Sequence, residues 1–351
     1  MNKNLEQLPQ DQLNKNLEQL SQDQFERITI DSSHSERIEK PSLSFWQDAW
    51  LRLRKNKAAI VSMVVLFLLV IMALVGPHLN GHDSAAQNLR HANLPPKIPG
   101  IEKLGIMDGV GNLGDKKVNL YELKKVDEYY WFGTDGLGRD LFTRLWEGTQ
   151  ISLLIAFVAA MIDMVIGVIY GGISGYFGGR TDDIMQRIVE ILIGIPTLIV
   201  VILMLMIMKP GLAAIIIAIS ITGWIGMSRI VRAQILKYKN QEFVLAARTL
   251  GTKDSKIISK HLLPNVLGII VINTMFTIPN AIFFEAFLSF IGLGLQPPNA
   301  SLGTLINDGY KVMEFQPYVL LFPSLVISIL MIAFNLIGDG LRDALDPKMK
   351  D

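Results

Sequence analysis

Four polar side chains lie inside or directly beside long apolar runs, where a polar group is costly unless it has a partner or faces water. Asp163 lies near the middle of one run, Asn273 and Asn280 are seven residues apart in a later run, and Glu285 follows directly. An ionised carboxylate at the centre of a membrane helix costs about 2.5 to 3.5 kcal/mol, so such a group must face protein or water. Two interpretations stay open for Asp163: it lines a polar route or a subunit interface, or it makes a structural hydrogen bond between helices. For the helix that carries Asn273 and Asn280, we favour a route.

Metal ligation is the second chemistry to weigh. The candidate ligands are His78, His82, Asp83 and His91. The first two histidines have the i, i+4 spacing that can hold a metal on a helix. However, Pro77 and Gly81 oppose a helix there. We therefore expect a solvated loop and no metal site.

Other catalytic signatures are missing from the sequence. There is no cysteine, which excludes thiolate ligands and disulfides, and there is no HExxH, GxSxG or histidine inside an apolar run. A membrane-embedded enzyme is therefore disfavoured. There is also no GxxxxGK[ST] sequence, so any ATP-driven process needs an ATPase on another chain.

The apolar residues are concentrated in blocks that can cross a membrane. Half of the 351 residues are hydrophobic, mean hydropathy is +0.36, and 19% are charged. A bilayer-spanning helix needs about 17 to 25 residues. Six runs of that length predict an all-α integral membrane protein rather than a soluble helical one. They are Ala58 to Gly76, Ile151 to Tyr170, Ile191 to Met208, Gly211 to Met227, Val266 to Phe284 and Val319 to Gly338.

Lysine and arginine predict the orientation. Arg52, Arg54, Lys55 and Lys57 directly precede the first run, which places the N-terminus in the cytoplasm. Six spans return the C-terminus there. The basic loop between the fourth and fifth runs also falls inside, whereas the short outer connections carry few positive charges.

Six segments follow from this topology. Residues 1–40 are predicted to be a disordered cytoplasmic tail with a twelve-residue duplication, and 41–57 an amphipathic helix on the membrane surface. The first span is 58–76, and 77–150 is a folded outer loop. Residues 151–340 form a core with five spans, and 341–351 a cytoplasmic tail.

Residues 241–264 interrupt the apolar runs and predict a helical hairpin. One apolar face is expected to combine the side chains of Phe243, Ala246, Ala247 and Leu250. Gly251 is expected to end the first helix, and Thr252 to cap a second helix that runs to Pro264. A DNA-binding helix-turn-helix would look similar, but this loop has no room for its own core. We predict a docking element and no binding of nucleic acid.

Several segments resemble ABC importer permeases. Ala246-Ala247, Gly251 and Pro264 resemble the EAA loop, with Leu245 in place of the family glutamate and His261 in place of an isoleucine. WFGTDGLGRDLFTRLWEGTQISL at 131–153, FLSFIGLGLQPP at 287–298 and GDGLRDALDPK at 338–348 are similar to the C-type subunit of dipeptide and oligopeptide permeases.

The resemblance implies a MetI-like type I importer core with an extra N-terminal span, in a bacterial cell membrane. It also implies that the hairpin couples to an ATPase, with Glu242 or Arg248 substituting for the missing glutamate. Implied partners are a second homologous permease, two ATP-binding subunits that hold ATP and Mg²⁺, and an external peptide-binding protein. This chain would form half of a heterodimeric pathway. A nickel or metal-chelate importer of the same family is the alternative.

Small residues recur along the second run. Gly167, Gly171 and Gly175 are four residues apart, which leaves one helix face bare. Such a face lets a second helix approach the backbone closely. We expect helix packing at these glycines.

Overall fold

The computed structural model describes residues 44–113, 116–208 and 211–345, and the description below concerns those residues. The predicted tail at 1–40 and the end of the chain after Leu345 lie outside them. In chain order, the α-helices are α1 (Phe45–Leu53), α2 (Lys57–Val75), α3 (Leu120–Lys124), α4 (Leu141–Phe177), α5 (Gly179–Gly194), α6 (Thr197–Ile207), α7 (Leu212–Tyr238), α8 (Glu242–Thr249), α9 (Asp254–Lys256), α10 (Leu263–Phe290), α11 (Leu302–Val312) and α12 (Pro317–Leu345). Strands β1 (Val110–Leu113) and β2 (Lys116–Asn119) form an antiparallel pair.

Five helical segments of this described chain are long and apolar enough to cross a membrane. They are α2, α4, α7, α12 and the continuous helical stretch Asp254–Phe290 that contains α9 and α10. The all-α prediction is confirmed. A sixth span exists only if α5 and α6 are counted together as one broken span.

The predicted third span, Ile191 to Met208, is wrong as a single helix. Helices α5 and α6 meet at a bend of 82°. Ile195 and Pro196 separate them, because proline lacks an amide donor and disfavours helical backbone at the residue before it. Helix α5 is also charged along one side, so only α6 is uniformly apolar.

The helix that contains the predicted second span begins earlier than the apolar run. Helix α4 begins at Leu141, ten residues before Ile151, and its N-cap is Asp140, whose carboxylate accepts a hydrogen bond from the Thr143 amide at 2.7 Å. Arg144 and Glu147 lower the local hydropathy, so residues 141–150 do not belong to the apolar run that the sequence shows. The 37 residues span about 55 Å, so α4 is longer than the roughly 30 Å hydrocarbon layer.

The outer segment between α2 and α4 has a small core of its own. Leu94, Tyr121, Val126 and Tyr130 are buried together. The Thr134 hydroxyl accepts from the Leu94 amide at 2.8 Å and donates to the His91 carbonyl at 2.5 Å. These contacts give the segment its own fold, and Asn80 connects it to the beginning of α4 through hydrogen bonds with Asp140 and Thr143.

Helices α4 and α7 make a close backbone contact in the core. A methyl group added at Gly167 would collide with the side chain of Met227, and one at Gly171 with the carbonyl oxygen of Ser228. Gly175 faces Ile235 in the same way. The structure therefore places all three glycines of the predicted packing face against α7.

Hydrogen bonds through α5 also connect α4 and α7 near the end of α4. The Asp182 carboxylate on α5 accepts two hydrogen bonds from the Arg232 guanidinium of α7, at 2.6 and 2.5 Å. Ser174 of α4 donates to the same carboxylate at 2.5 Å. The bidentate geometry fixes direction as well as distance. Together these groups join α4, α5 and α7.

Replacing Gly171 with alanine should destabilise the α4–α7 contact. The added methyl would overlap the Ser228 carbonyl, and overpacking of this kind costs about 1 to 3 kcal/mol. We expect the unfolding temperature of the detergent-purified protein to fall by several degrees.

The neighbouring glycine supplies a matched control. A methyl at Gly172 would lie 3.8 Å from Ile258 Cγ2, an ordinary contact. The Gly172→Ala protein should therefore unfold at the wild-type temperature or slightly above it. Equal loss of stability in the two variants would contradict the proposed backbone contact.

Candidate functional site: a polar cavity and a helical hairpin

A cavity of about 490 Å³ lies between α4, α7 and α10. Its polar lining comes from Asp163 on α4, Thr197 on α6, Thr222 on α7, and Asn273, Thr277 and Asn280 on α10. The cavity is open on one side, because Gly223, Gly226 and Asn280 along its edge are exposed. A volume of this size falls within the range of about 300 to 1,000 Å³ that is common for ligand pockets.

Asp163 supplies the carboxyl group in the lining of this cavity. Its residue surface is only 3% exposed, and its Oδ1 atom is buried without a hydrogen-bond partner. Among the described residues, the carboxylate takes part in no hydrogen bond or ion pair. The interpretation of Asp163 as a structural hydrogen bond between helices therefore has no support in the described residues.

Glycine at position 223 lets this carboxylate lie directly against the backbone of α7. A methyl group there would lie within 2.7 Å of Asp163 Oδ1. Any larger residue on this turn of α7 would displace the carboxylate from its position. Asp163 and Gly223 thus form one local arrangement across two helices.

Three of the four predicted pathway residues meet at the cavity. Asn273 and Asn280 line it from α10, opposite Asp163, as their seven-residue spacing requires for one helix face. The Asn273 side-chain amide donates to the Ile269 carbonyl at 2.7 Å. Its side-chain oxygen is an acceptor that this bond leaves unused.

The prediction that Glu285 lines the pathway is not matched by its position. Glu285 is fully buried away from this cavity. Its carboxylate accepts hydrogen bonds from Ser152 of α4 at 3.0 Å and from Ser289 of α10 at 2.8 Å. Ser152 in turn accepts from the Leu302 amide at 3.1 Å. Glu285 therefore joins α4, α10 and the start of α11. Its partner Ser152 is 133 residues away in the sequence, so no local pattern indicates this hydrogen bond.

The hairpin at 241–264 has a glycine turn but a different second arm from the predicted one. Gly251 adopts φ = +73°, a backbone region that favours glycine, and its amide donates to the Arg248 carbonyl at 3.0 Å. Lys253 precedes the second arm, so the predicted capping role of Thr252 is wrong. The arm does not end at Pro264. It passes through a π-helical segment, Ile257–Leu262, into α10, because proline is compatible with the first turn of a helix.

The two sides of α8 have different surroundings. Val244 and Ala247 are buried against Ile257 and Leu262 of the second arm and against Ile235 of α7. Ala247 therefore does not belong to an exposed face with the other predicted residues, and Val244 is a packing residue that the sequence reading missed. Its i, i+3 spacing with Ala247 is the signal that could have identified it.

The outward side of α8 carries the remaining predicted coupling residues. Phe243, Ala246 and Leu250 are exposed, and Leu250 is 85% exposed. Glu242 is exposed at the first turn. A continuous apolar edge thus runs along a helix whose opposite side is packed against the core.

Tyr176 at the end of α4 holds both arms of the hairpin. Its hydroxyl donates to Asp254 of α9 at 2.5 Å, and the guanidinium of Arg248 lies over its ring at 5.4 Å from the centroid. The ring itself is buried in the hairpin core. We name Arg248, Tyr176 and Asp254 the Tyr176 clamp. The sequence reading missed Tyr176 and Asp254, which are 78 residues apart and carry no motif.

The outer histidines make ordinary structural contacts. His91 lies 2.7 Å from the Tyr130 hydroxyl through Nδ1, and His82 stacks on the Tyr130 ring. His78 ends a 3₁₀ turn. Within the described residues, no group of three or more His, Asp or Glu side chains is arranged to hold a metal ion. The nickel hypothesis thus gains no support from these histidines.

Comparison with known proteins identifies the family. Residues 164–351 match the family described as binding-protein-dependent transport system inner membrane component. The chain belongs to this permease family. Residues 44–96 of the permease also match the N-terminal transmembrane domain of oligopeptide transport permease C. The first match begins directly after Asp163 and includes the end of α4, the hairpin and α10. The second match includes α1 and α2.

Two curated relatives are similar over nearly the whole permease. It is 48% identical over 317 residues to the dipeptide transport system permease protein DppC of Bacillus subtilis, covering 90% of each chain. It is 45% identical over 326 residues to the oligopeptide transport system permease protein OppC of the same organism, covering 93% of this chain and 97% of the relative. A solved structure of the MetNI methionine ABC transporter aligns with 57% of this chain and 96% of its own, at 22% identity and a TM-score of 0.48.

Removing the Tyr176 hydroxyl should loosen the hairpin. Tyr176→Phe keeps the ring beneath Arg248 but deletes the hydrogen bond to Asp254, which is worth about 0.5 to 1.5 kcal/mol net. We expect amide hydrogen exchange at residues 252–257 to become about two- to tenfold faster.

Tyr238→Phe is the control for this experiment. Tyr238 packs against the same hairpin core, and its hydroxyl makes no hydrogen bond with the described residues. Its replacement should leave exchange in the hairpin unchanged. Unchanged exchange in the Tyr176→Phe protein would mean that the clamp does not hold the two arms together.

Proposed function

We propose that this chain is a transmembrane subunit of an ATP-driven peptide importer and that the hairpin at 241–264 couples it to a separate ATPase. The peptide substrate is inferred from the dipeptide and oligopeptide permeases to which the chain is similar. One observation carries the coupling role. The inward side of α8 is packed against the membrane core, whereas its apolar outward edge of Phe243, Ala246 and Leu250 is exposed.

A partner that binds this edge would act on the membrane core through short contacts. Val244 and Ala247 transmit force by packing, and the Tyr176 clamp connects both arms to the end of α4. Arg248 is engaged in that clamp, so Glu242 is the better placed of the two residues to form an ion pair with an ATPase. ATP and Mg²⁺ would be bound by the two partner subunits, since this sequence has no phosphate-binding loop.

The polar cavity would be half of the pathway. Its open side, along Gly223, Gly226 and Asn280, would face a second homologous permease, which would close the passage. A lining of scattered polar groups suits peptides, because they vary in side chain but share a backbone. An external binding protein would select the peptide before it enters.

Charge distribution supports the orientation in a bacterial cell membrane. The basic residues before α2 and around the hairpin place both on the cytoplasmic side, with both termini inside. Helix α1 would lie on the inner membrane surface, because Trp46, Trp50 and Leu51 are exposed whereas Leu53 packs against the core of the protein.

A matched pair of leucine substitutions tests the coupling edge. Leu250→Glu places a charge in the proposed apolar contact and should lower ATP-dependent peptide uptake at least about tenfold in proteoliposomes that contain the assembled transporter, because buried apolar anchors contribute about 2 kcal/mol or more. Membrane insertion should remain normal. Uptake and ATP hydrolysis are measured together.

Leu245→Glu is the control substitution. Leu245 is exposed on the other edge of α8, and it occupies the place of the glutamate in the EAA loop that the sequence resembles. Uptake should be retained in this variant. Full coupled uptake by the Leu250→Glu transporter would rule out this edge as the ATPase contact.

A further inference from the structure

We propose that Asp163 binds the N-terminal ammonium group of the peptide in transit, an inference that rests on the proposed import of peptides. The carboxylate lies in the cavity between α4, α7 and α10. It would hold the cationic end of each peptide by a charge-assisted hydrogen bond, regardless of the peptide's side chains.

The first support is the state of the carboxylate itself. Asp163 is buried, its Oδ1 atom has no hydrogen-bond partner, and no described cation lies close enough to form an ion pair with it. Leaving a buried carboxyl oxygen without a hydrogen bond is costly, and ionisable groups within membrane helices mark substrate pathways. A donor that carries positive charge satisfies this one best.

The second support is the shape of the cavity around it. Glycine at 223 keeps the face of α7 bare beside both carboxylate oxygens, where any side chain would collide. The missing side chain lets the carboxylate keep its position in the lining of the cavity. About 490 Å³ is sufficient for a short peptide or for the end of a longer one.

The third support is the remaining polar lining. Asn273, Asn280 and Thr277 lie along one face of α10 across from Asp163. Amide and hydroxyl groups both donate and accept hydrogen bonds, which suits the N–H and C=O groups of a peptide backbone. A single carboxylate with neutral polar groups thus matches the features that all peptides with a free N-terminus share. It does not select among side chains.

A wild-type measurement tests the assignment directly. The solubilised transporter, without its binding protein, is treated with a hydrophobic carbodiimide, and the modification of Asp163 is followed by mass spectrometry. Trialanine should slow the modification. Propionyl-dialanine, which has the same shape but no amino group, should not. Equal protection by both peptides, or by neither, would overturn the assignment.

Two substitutions extend the test to transport. Asp163→Asn removes the charge and should lower trialanine uptake by about tenfold, the loss expected for one charge-assisted hydrogen bond, while Asp163→Glu should retain most of it. ATP hydrolysis stimulated by the loaded binding protein should continue in both variants. Normal uptake by the Asp163→Asn transporter would contradict the proposal.

The outcomes separate this inference from the proposed function. A wild-type transporter that imports no trialanine with ATP and binding protein would refute the import function itself. Normal import combined with no selective protection of Asp163 would refute only the ammonium site. Loss of the second permease from the Asp163→Asn complex, again without selective protection, would mean that Asp163 pairs with a cation of that subunit instead.

Discussion

The close backbone contact between α4 and α7 is the constraint on which the rest of the molecule depends. Glycines at 167, 171 and 175 let the carbonyl groups and side chains of α7 approach the α4 backbone. Without a Cβ on that face, the two helices can pack at a distance that larger residues would forbid. At one end, the bidentate pair of Asp182 and Arg232 joins α5 to α7, and Ser174 of α4 donates to the same carboxylate.

Both parts of the candidate site are built on this pair of helices. Asp163 lies on α4 one turn before Gly167, and its carboxylate fills the position that a side chain at Gly223 of α7 would need. Tyr176 lies directly after Gly175 and connects the hairpin to the end of α4. The wall of the cavity and the attachment of the hairpin therefore belong to one helix. A displacement of the hairpin would therefore be transmitted along α4 to the part of the cavity wall that Asp163 forms.

The sequence predicts some of these features well, and the reasons are physical. Five apolar runs are recognisable because a membrane helix is apolar over its whole length. Asp163 is conspicuous as a charge within such a run, and Gly251 has φ = +73° at the expected end of α8. The bend at Pro196 was missed because hydropathy does not register a change of direction.

Other features depend on residues that are distant in sequence. The apolar residues of α8 cover more than one side of the helix, so periodicity could not decide that Ala247 faces inward with Val244 while Leu250 faces outward. The position of Glu285 depends on Ser152, which is 133 residues away. The Tyr176 clamp also joins separate helices. Such contacts follow from tertiary packing, which spacing along the chain does not reveal.

A distance measurement tests most directly whether α4 and the hairpin move as one body. The sequence has no cysteine, so spin labels can be attached specifically at Leu154→Cys on α4 and Leu245→Cys on the hairpin, both of which are exposed positions. Their separation would be measured by pulsed electron paramagnetic resonance in the assembled transporter, without nucleotide and with ATP trapped. The account predicts the same narrow distance distribution in both states. A shift of that distribution on ATP binding would contradict it.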